Sequence, residues 1–344
     1  MPTLAETTAS AHRLALVGLA KNTGKTVTLT AMLRELEAAG RTVGVTSVGR
    51  DGEERDAIDA RIAKPRVRLA AGSLVATTDA LLRASALAHE LVEETGVRTP
   101  LGRVLIARLL AAGPIEIAGP SAAADVRAVS DTMLGAGAEQ VLIDGAVDRR
   151  AASSPQVSDT LVMATGAVLD RELEQVVAQT RDAVELVRLP PPDGSEHSEP
   201  VALPPRFALT AGAEQVAELL DANPEARRLL VDGALPERFL DSLLPSLRRH
   251  DREMTLVVAD PTRVFLWRHG PGWYARRGVH LRALSRTALA ALTVNPVAPQ
   301  SHTFESGELR ARLADAIPGV PIFDVLQDAA ENVHAQAAST LRFP

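Results

Sequence analysis

The apolar residues of this chain fall alternately into short runs and into stretches with helical spacing. The first short run is RLALVGL, and the stretch TVTLTAMLRELEAAG follows it after a Gly-containing turn, AKNTG. Apolar residues recur in that stretch at roughly helical spacing, and Gly40 marks its end. A second short run, RTVGVTSV, completes a strand–helix–strand unit, whose crossover geometry favours a parallel sheet.

The same alternation continues along the following part of the chain. Residues 66–77 predict two short strands around an Ala-Gly pair, and a helix is expected from there through Glu94. The runs RVLIARLL and PIEIAGPS flank a Gly-Pro pair, which predicts a hairpin. A helix over residues 123–137, the strand QVLIDGA, and the strand TLVMATG with a helix after it extend the pattern. We therefore predict an α/β fold with a P-loop NTPase-like, mostly parallel sheet flanked by helices.

The clearest break in the pattern is PPPDGSEHSEPVALPP, residues 190–205, which is rich in Pro, Ser and acidic residues. This composition predicts an exposed loop or linker. The alternation then resumes with the runs FALTA, RLLVDGAL, MTLVVAD, RVFLW, ALAALTVNP and VPIFDVL. We therefore predict a P-loop nucleotide-binding domain over residues 1–189 and a second α/β domain over residues 206–344.

The composition narrows the range of functional classes. The 344 residues include no cysteine, which excludes disulfides, thiolate catalysis and cysteine metal sites. The formal net charge of -6 gives no global support for nucleic-acid binding, and the basic clusters Arg61 to Arg68 and Arg276 to Arg282 carry little aromatic interleaving. No apolar run has the length of a signal peptide at the N-terminus or approaches the ~18 residues of a membrane span. We expect a cytoplasmic protein without nucleic-acid or membrane partners.

The turn after the first strand carries the strongest chemical signal, the tripeptide Gly24-Lys25-Thr26. A Gly-rich turn between a strand and a helix aims backbone N–H groups at a phosphate, and the helix adds the positive end of its dipole. The lysine supplies a charge for the β- and γ-phosphates, and the threonine hydroxyl can ligate Mg²⁺. An ordinary turn with a solvated lysine is the alternative. The predicted nucleotide contacts in this turn are Gly18, Lys21, Asn22, Thr23, Gly24, Lys25 and Thr26.

The spacing of this turn departs from the standard P-loop motif. Five residues rather than four separate Gly18 from Gly24, and Leu19 occupies the standard position of the first glycine. The longer spacing resembles the GTxTxxGKT loop of dethiobiotin synthetase. Lys21 resembles the additional lysine of deviant P-loop ATPases, which dimerise over nucleotide, but it lies one position away from that pattern.

A P-loop enzyme needs a carboxylate at the end of a neighbouring strand to hold Mg²⁺ or its waters. Asp144 ends the apolar run VLID and is the predicted carboxylate, whereas Asp232 has the same local form but lies far from the loop in sequence. Asp51, in the segment TSVGRDGEE, is the candidate for a second metal-binding or water-orienting carboxylate, although a solvated charged loop would explain most of that segment. We predict Lys25, Asp51 and Asp144 as catalytic residues, and Thr26, Asp51 and Asp144 as metal ligands.

Further polar residues lie at strand ends, where α/β proteins place ligands. They are Ser121, Asp148, Arg149, Thr165 and Gly166. Arg149 could contact phosphate with Asp148 fixing it, or the two could form a surface pair.

Two features of the sequence bear on which base the bound nucleotide carries. No NKxD motif is present, which favours ATP over GTP. Asn295 precedes Pro296 at a strand end and is predicted to contact the base, as in dethiobiotin synthetase. A turn-forming Asn-Pro pair is the alternative.

A resemblance to a known family rests on eight segments spread from Gly18 to Val325: GLAKNTGKT, TSVGRDGEE, AKPRVRLAAGSLVATT, IEIAGPSAAADV, VLIDGAVDR, SDTLVMATGAVL, TVNPVAP and VPIFDV. Together they resemble the P-loop subunit of the reactivating factor for lysine 5,6-aminomutase, an enzyme dependent on adenosylcobalamin and pyridoxal phosphate. The phosphate loop is generic, while RDGE, EIAGPS, IDGAVDR and ATGA are more specific to the family.

The resemblance implies an ATP-driven chaperone that opens an inactivated adenosylcobalamin-dependent aminomutase and allows its damaged cofactor to exchange. It also implies a partner subunit that resembles a mismatch-repair ATPase. Carried onto this chain, Lys25 and Thr26 bind phosphate and magnesium, and Asp144 completes the metal site. The resemblance assigns no role to Asp51, Lys64 or Asn295.

Two other functions remain open from the sequence. The first is an ATP-dependent biosynthetic ligase related to dethiobiotin synthetase, which would activate a small carboxylate or carbamate in a pocket near Lys21 and Lys64-Pro65. The second is a non-enzymatic, nucleotide-gated module that recruits another protein.

Overall fold

The computed structural model describes residues 2–49, 66–145, 150–193, 199–299 and 302–328. The chain forms two compact units. The first unit contains the residues up to Val177 and those from Ala288 onward, and the second is Ala178–Thr287. The chain therefore leaves the first unit and later returns to it.

The first unit is built on a nine-stranded sheet. From one edge to the other its strands are β17 (Ile322–Phe323), β16 (Ala288–Asn295), β9 (Thr160–Gly166), β1 (Arg13–Gly18), β8 (Gln140–Gly145), β2 (Val43–Ser47), β4 (Leu74–Thr78), β6 (Gly102–Leu109) and β5 (His89–Thr99). The strands from β17 to β4 are parallel, and β6 and β5 add to that edge in antiparallel orientation. The predicted α/β class with a mostly parallel sheet is confirmed.

The remaining elements of the first unit lie around this sheet. The short strands β3 (Val67–Leu69) and β7 (Gly113–Ile115) form a separate antiparallel pair. The helices are α1 (Leu4–Thr7), α2 (Lys25–Ala38), α3 (Asp79–Ser85), α4 (Ala123–Gly135) and α10 (Ser306–Ala316), and α5 (Leu173–Val187) begins in this unit and ends in the second. No helix of the described residues is both long enough and apolar enough to cross a membrane.

The core of the first unit explains why its strands form. Strands of a parallel sheet covered on both faces are nearly continuously apolar, and β8 presents Val141, Leu142 and Ile143, all fully buried. Helix α2 buries Met32 and Leu36 against this core. The helical spacing noted in the sequence is therefore the buried face of α2.

Two local predictions for this unit were wrong. The helix expected through Glu94 ends at Ser85, and His89–Thr99 forms β5, the edge strand that pairs with β6. The predicted hairpin between RVLIARLL and PIEIAGPS does not form, because β6 pairs with β4 and β5 while β7 pairs with β3. The pairing of β7 with β3 joins strands far apart in the chain, which local sequence does not specify. By contrast, β5 and β6 are consecutive strands that form a hairpin around residues 100 and 101.

The second unit has its own sheet of four parallel strands, β10 (Val201–Ala202), β11 (Arg228–Leu230), β13 (Met254–Val258) and β15 (Val279–Ala283). Two further strands, β12 (Leu235–Pro236) and β14 (Val264–Phe265), form a small parallel pair. Its helices are α6 (Phe207–Thr210), α7 (Ala213–Ala222), α8 (Glu237–Arg249) and α9 (Pro271–Ala275). The run FALTA is thus a short helix rather than a strand.

The observed units differ from the predicted domains. The Pro-rich segment 190–205 lies within the second unit, where its residues Val201–Ala202 form β10. The run ALAALTVNP forms β16 and pairs along its length with β9, so the chain after Thr287 belongs to the first sheet. The Pro-rich composition of residues 190–205 does not reveal that the chain later returns to the first sheet.

Candidate functional site

The turn between β1 and α2 is compact and depends on two glycines. A Cβ on Gly18 would lie 2.5 Å from the Thr23 hydroxyl, and that hydroxyl donates a hydrogen bond to the Ala20 carbonyl at 3.0 Å. Gly24 has a φ of 89°, in the left-handed region that favours glycine, and Asn22 has a φ of 68°. The chain therefore reverses tightly between the end of the strand and the start of the helix.

The N-terminus of α2 follows directly from this turn. Gly24 is the residue before the helix and provides no side chain to cap it. The first N–H groups of a helix lack intrahelical partners and carry the positive end of its dipole. This arrangement, at the start of a 14-residue helix, suits an anion such as a phosphate group.

Lys25 and Asp144 form an ion pair at this end of the sheet. Strands β1 and β8 are adjacent and parallel, with Leu16 opposite Asp144. The lysine Nζ lies 2.8 Å from Asp144 Oδ1, and the two side chains are only 16% and 18% exposed. A charged pair this sheltered from water is stronger than a surface pair, and each charge compensates the other. The structure thus brings together the two residues that the sequence assigned to phosphate and metal.

The oxygen ligands beside this pair are of the type that Mg²⁺ prefers. Thr26 lies in the first turn of α2, next to Lys25, and Asp144 supplies a carboxylate. The described residues contain no cluster of three or more His, Asp or Glu side chains that could hold a metal on their own. A magnesium ion held here by Thr26 and Asp144 would depend on phosphate oxygens and water for its other ligands, as is usual for this ion.

Asn295, at the end of β16, holds the turn in place. Its side-chain Nδ2 donates a hydrogen bond to the Asn22 carbonyl at 3.0 Å, and its Oδ1 accepts one from the Val297 N–H at 3.1 Å. A Cβ on Gly24 would lie 3.1 Å from Asn295 Cβ. The Asn295 side chain therefore both forms a local turn and holds the turn between β1 and α2.

A second contact joins α2 to the same strand. The Thr28 hydroxyl lies 2.8 Å from that of Thr293, and both side chains are buried. Thr28 also donates to the Gly24 carbonyl at 3.2 Å. Sequence analysis did not identify Thr28 or Thr293, because their partnership across the fold leaves no local pattern.

The predicted residues at the end of β9 are placed by close packing. Gly166 lies opposite Asn295 in the strand pairing, and a Cβ on Gly166 would lie 2.1 Å from the Asn295 carbonyl oxygen. Thr165 is fully buried. Gly166 therefore permits the close approach that positions Asn295 beside the turn.

The end of β2 lies beside Asp144 and is tied to a neighbouring turn. The Val48 N–H donates to the Asp144 carbonyl at 2.9 Å, and the Gly49 N–H donates to the Pro120 carbonyl at 2.7 Å. The Ser47 hydroxyl accepts a hydrogen bond from the Gly119 N–H at 2.9 Å. The predicted residue Ser121 follows this turn and is exposed. Sequence analysis did not single out Ser47.

Several residues predicted for the site lie outside the described residues, are exposed, or belong to the second unit. Asp51 lies outside the described residues, as do Arg50, Glu53, Glu54, Lys64, Pro65, Asp148 and Arg149. Lys21 lies in the turn and is exposed. Asp232 follows β11 in the second unit and is exposed, whereas Asp144 lies near the end of β8 in the first sheet.

Comparison of the chain with protein-family models, with curated proteins and with solved structures finds no match in any of the three. The interpretation of this site therefore rests on its own geometry.

Proposed function

We propose that this chain binds ATP with Mg²⁺ at the β1–α2 turn and hydrolyses it. The observation that carries the proposal is the 2.8 Å contact between Lys25 and Asp144 at the N-terminus of α2. A P-loop NTPase uses a strand, a Gly-containing turn and a helix with an uncapped N-terminus, together with a lysine and a carboxylate on the adjacent strand.

In the proposed mechanism, Lys25 and Asp144 exchange their contact with each other for contacts with the nucleotide and the metal ion. In the absence of nucleotide, Lys25 and Asp144 compensate each other. With nucleotide present, Lys25 would contact the phosphates, and Asp144 and Thr26 would hold the metal ion. Magnesium supplies positive charge that offsets the charge developing on the phosphates in the transition state. The N–H groups at the start of α2 would stabilise the same charge without reorganising.

We propose ATP rather than GTP because the chain has no NKxD motif. The hydrogen bond from Asn295 to the Asn22 carbonyl supports a role for Asn295 in shaping the turn. Contact with the base remains the proposed second role of Asn295, since its side chain borders the turn directly.

The process proposed to use this ATP is reactivation of an adenosylcobalamin-dependent aminomutase in the cytoplasm, together with a partner subunit that resembles a mismatch-repair ATPase. This part of the proposal is supported by the sequence resemblance, which extends from Gly18 to Val325. Two nucleotide states with different affinities for a partner would supply the work of opening the enzyme.

The first experiment tests the nucleotide site alone. We expect the purified chain to bind ATP-Mg in calorimetric titration, and Lys25→Ala to weaken that binding by roughly 10-fold to 100-fold through loss of a charge-assisted contact. The variant should keep its far-UV circular dichroism. Unchanged affinity in folded Lys25→Ala would refute the assignment of the phosphate site.

The second experiment tests the process. An aminomutase of this class is first inactivated, and the chain is then added with its partner subunit, ATP, Mg²⁺ and fresh cofactor. We expect recovery of turnover that fresh cofactor alone and Lys25→Ala do not give. Recovery no greater than with cofactor alone would refute reactivation of that enzyme.

A second candidate is an ATP-dependent ligase that resembles dethiobiotin synthetase. The proximity of Asn295 to the phosphate-binding turn favours it, because the sequence comparison with that enzyme assigned Asn295 to the nucleotide. ATP turnover that depends strictly on a small carboxylate or amine acceptor would support the ligase. Turnover with ATP alone would support the chaperone.

A further inference from the structure

The second unit contains a segment that is both aromatic and basic. From Pro261 to Thr287 the sequence has no Asp or Glu, and arginines recur through it. Aromatic residues make up only 3% of the chain, yet both tryptophans and the single tyrosine lie between Trp267 and Tyr274. Tryptophan, tyrosine and arginine are the residue types most enriched at the energetic centres of protein interfaces.

A buried carboxylate holds the backbone of this segment. Glu237, at the start of α8, is 3% exposed. It accepts hydrogen bonds from the N–H groups of Trp267 at 3.3 Å, Arg268 at 3.1 Å and His269 at 3.1 Å. The Tyr274 hydroxyl, which is fully buried, donates to Glu237 at 3.3 Å and to Asp241 at 2.8 Å. These bonds fix the conformation of the loop before any partner is present.

The side chains on this loop are also ordered by stacking. The His269 ring stacks on the ring of Trp273 at 3.7 Å between centroids, and the Arg277 guanidinium lies 3.6 Å from the centre of the Trp273 ring. Trp273 is therefore packed by side chains of the same unit. A cation over a tryptophan face is an attractive arrangement in its own right.

The Trp267 side chain projects from this hydrogen-bonded loop into solvent. It is 74% exposed, more than any other large apolar residue that the structure describes, and its only ring neighbour among the described residues is Phe265, at 6.2 Å. Leaving a tryptophan in water forgoes a large gain from burial. A rigid loop that presents it lowers the ordering cost of binding, which is the property of an interface anchor.

The charges around Trp267 identify the kind of partner. Arg268 contacts Asp241, but Arg276 and Arg277 are exposed and form no ion pair with a described carboxylate. Two carboxylates of α5 also border the segment: Glu185 accepts the Gly272 N–H at 3.0 Å, and Asp182 packs against Gly270. A polyphosphate backbone would meet these acids, whereas a protein segment with a few acidic side chains can pair with Arg276, and with Arg277 where it stacks on Trp273, and avoid the acids.

We propose that the surface formed by Trp267, Arg268, His269, Trp273, Arg276 and Arg277 is a docking site for a second protein, with Trp267 inserting into an apolar pocket flanked by acidic side chains. The proposal goes beyond nucleotide binding and does not require it. Failure of the ATP experiments would leave it standing.

The test begins with cross-linking in the source cell. A photoreactive p-benzoylphenylalanine replaces Trp267 in the full-length chain, and the same group replaces Leu110 as the control, because Leu110 is 59% exposed and belongs to the first unit. We expect one protein to cross-link at position 267 and not at position 110, through a segment that contains Asp or Glu. No adduct above the control, an adduct with nucleic acid, or an adduct with a second copy of this chain would overturn the proposal.

The identified protein is then purified and its affinity for the chain is measured. We expect Trp267→Ala to weaken binding at least about tenfold, Arg276→Glu to weaken it further as salt is lowered, and Leu284→Ala, an exposed control in the same unit, to leave it unchanged. Near-ultraviolet circular dichroism of Trp273 verifies that each variant keeps the packing of His269 and Arg277 on that ring. Equal affinity of the wild-type chain and folded Trp267→Ala would overturn the proposal.

Discussion

The hydroxyls of Thr28 and Thr293 lie 2.8 Å apart in the interior of the first unit, although 265 positions separate them in the chain. Thr28 is in the first turns of α2 and Thr293 is near the end of β16. This bond, with the one from Asn295 to the Asn22 carbonyl, joins the start of the helix to a strand supplied by the last part of the chain. The β1–α2 turn, where we propose that phosphate binds, is thus stabilised by residues that follow the whole second unit.

We expect Thr28→Val and Thr293→Val each to lower the free energy of unfolding by about 1 kcal/mol, because each leaves one buried hydroxyl without this partner. The double variant should lose less than the sum, since both hydroxyls are then replaced by methyl groups of similar shape. Urea titration of the four proteins measures the coupling. Thr30→Val is the control, because its hydroxyl contacts only the Thr26 carbonyl within the same helix. Strict additivity would contradict the bond.

A second prediction concerns the close approach of β9 and β16. Gly166→Ala places a Cβ 2.1 Å from the Asn295 carbonyl oxygen, a backbone atom that cannot move without parting the strands. We expect a loss of about 1–3 kcal/mol in the free energy of unfolding, and weaker ATP binding because Asn295 shifts. Gly135→Ala at the end of α4 is the matched control. Its Cβ meets nothing within 4 Å, so it should be neutral or slightly stabilising. Equal effects of the two substitutions would contradict the packing argument.

The candidate site shows what local sequence can and cannot provide. The strand–turn–helix arrangement around Lys25 and the position of Asp144 at a strand end are both encoded within a few residues, through apolar runs and glycine. Their observed contact at 2.8 Å is what adjacent parallel strands would produce. The prediction was possible because the carboxyl ends of parallel strands meet at one edge.

The part of the first sheet that local sequence did not provide depends on long-range pairing. Strand β16 completes that sheet although it follows the second unit in the chain, and the position of Thr293 leaves no periodicity that a single sequence displays. The strand His89–Thr99 is a different case, because it forms a hairpin with the next strand, β6, around residues 100 and 101 where a longer helix was expected.

A third prediction concerns Glu237, which holds the loop of Trp267. Burial acts to raise the pKa of Glu237, but the N–H groups of Arg268, His269 and Trp267 lower it below its ordinary value of 4.5. A carboxyl group whose pKa is depressed in the folded state stabilises the fold above its unfolded pKa. That contribution is lost as the pH falls through the folded pKa. The stabilisation from Glu237 should therefore be complete at neutral pH and decline below 4.5.

We expect Glu237→Gln to lower the free energy of unfolding by about 1–3 kcal/mol at neutral pH, since an amide carries no charge and offers one acceptor atom where the carboxylate has two. The difference from wild type should shrink as the pH approaches the folded pKa, where Glu237 itself is protonated. Denaturant titration across the acid range measures this. Glu253→Gln is the control, because that side chain is exposed and pairs with His280 at the surface. A pH-independent difference would contradict the assignment.

The fourth prediction tests Asp144, the carboxylate proposed to bind the metal, with a control taken from the chain itself. The tripeptide DGA follows an apolar run at both Asp144 and Asp232, but only Asp144 contacts Lys25. We expect Asp144→Asn to keep ATP affinity within about tenfold, because the amide can still hydrogen-bond a metal-bound water and Lys25 is released to the phosphates. Hydrolysis should be abolished, because the anionic charge that orders the metal is gone.

Asp232→Asn should leave both affinity and hydrolysis unchanged, since Asp232 is exposed and lies in the second unit. Binding is measured by calorimetry, and turnover by phosphate release at saturating ATP and Mg²⁺. The contrast between the two substitutions separates a role at the metal from a general effect of changing an aspartate before Gly-Ala. Full turnover in Asp144→Asn would move the metal-binding role to another carboxylate, with Asp51 and Asp232 as the candidates. Loss of turnover in folded Asp232→Asn, with turnover kept in Asp144→Asn, would assign the metal-binding role to Asp232.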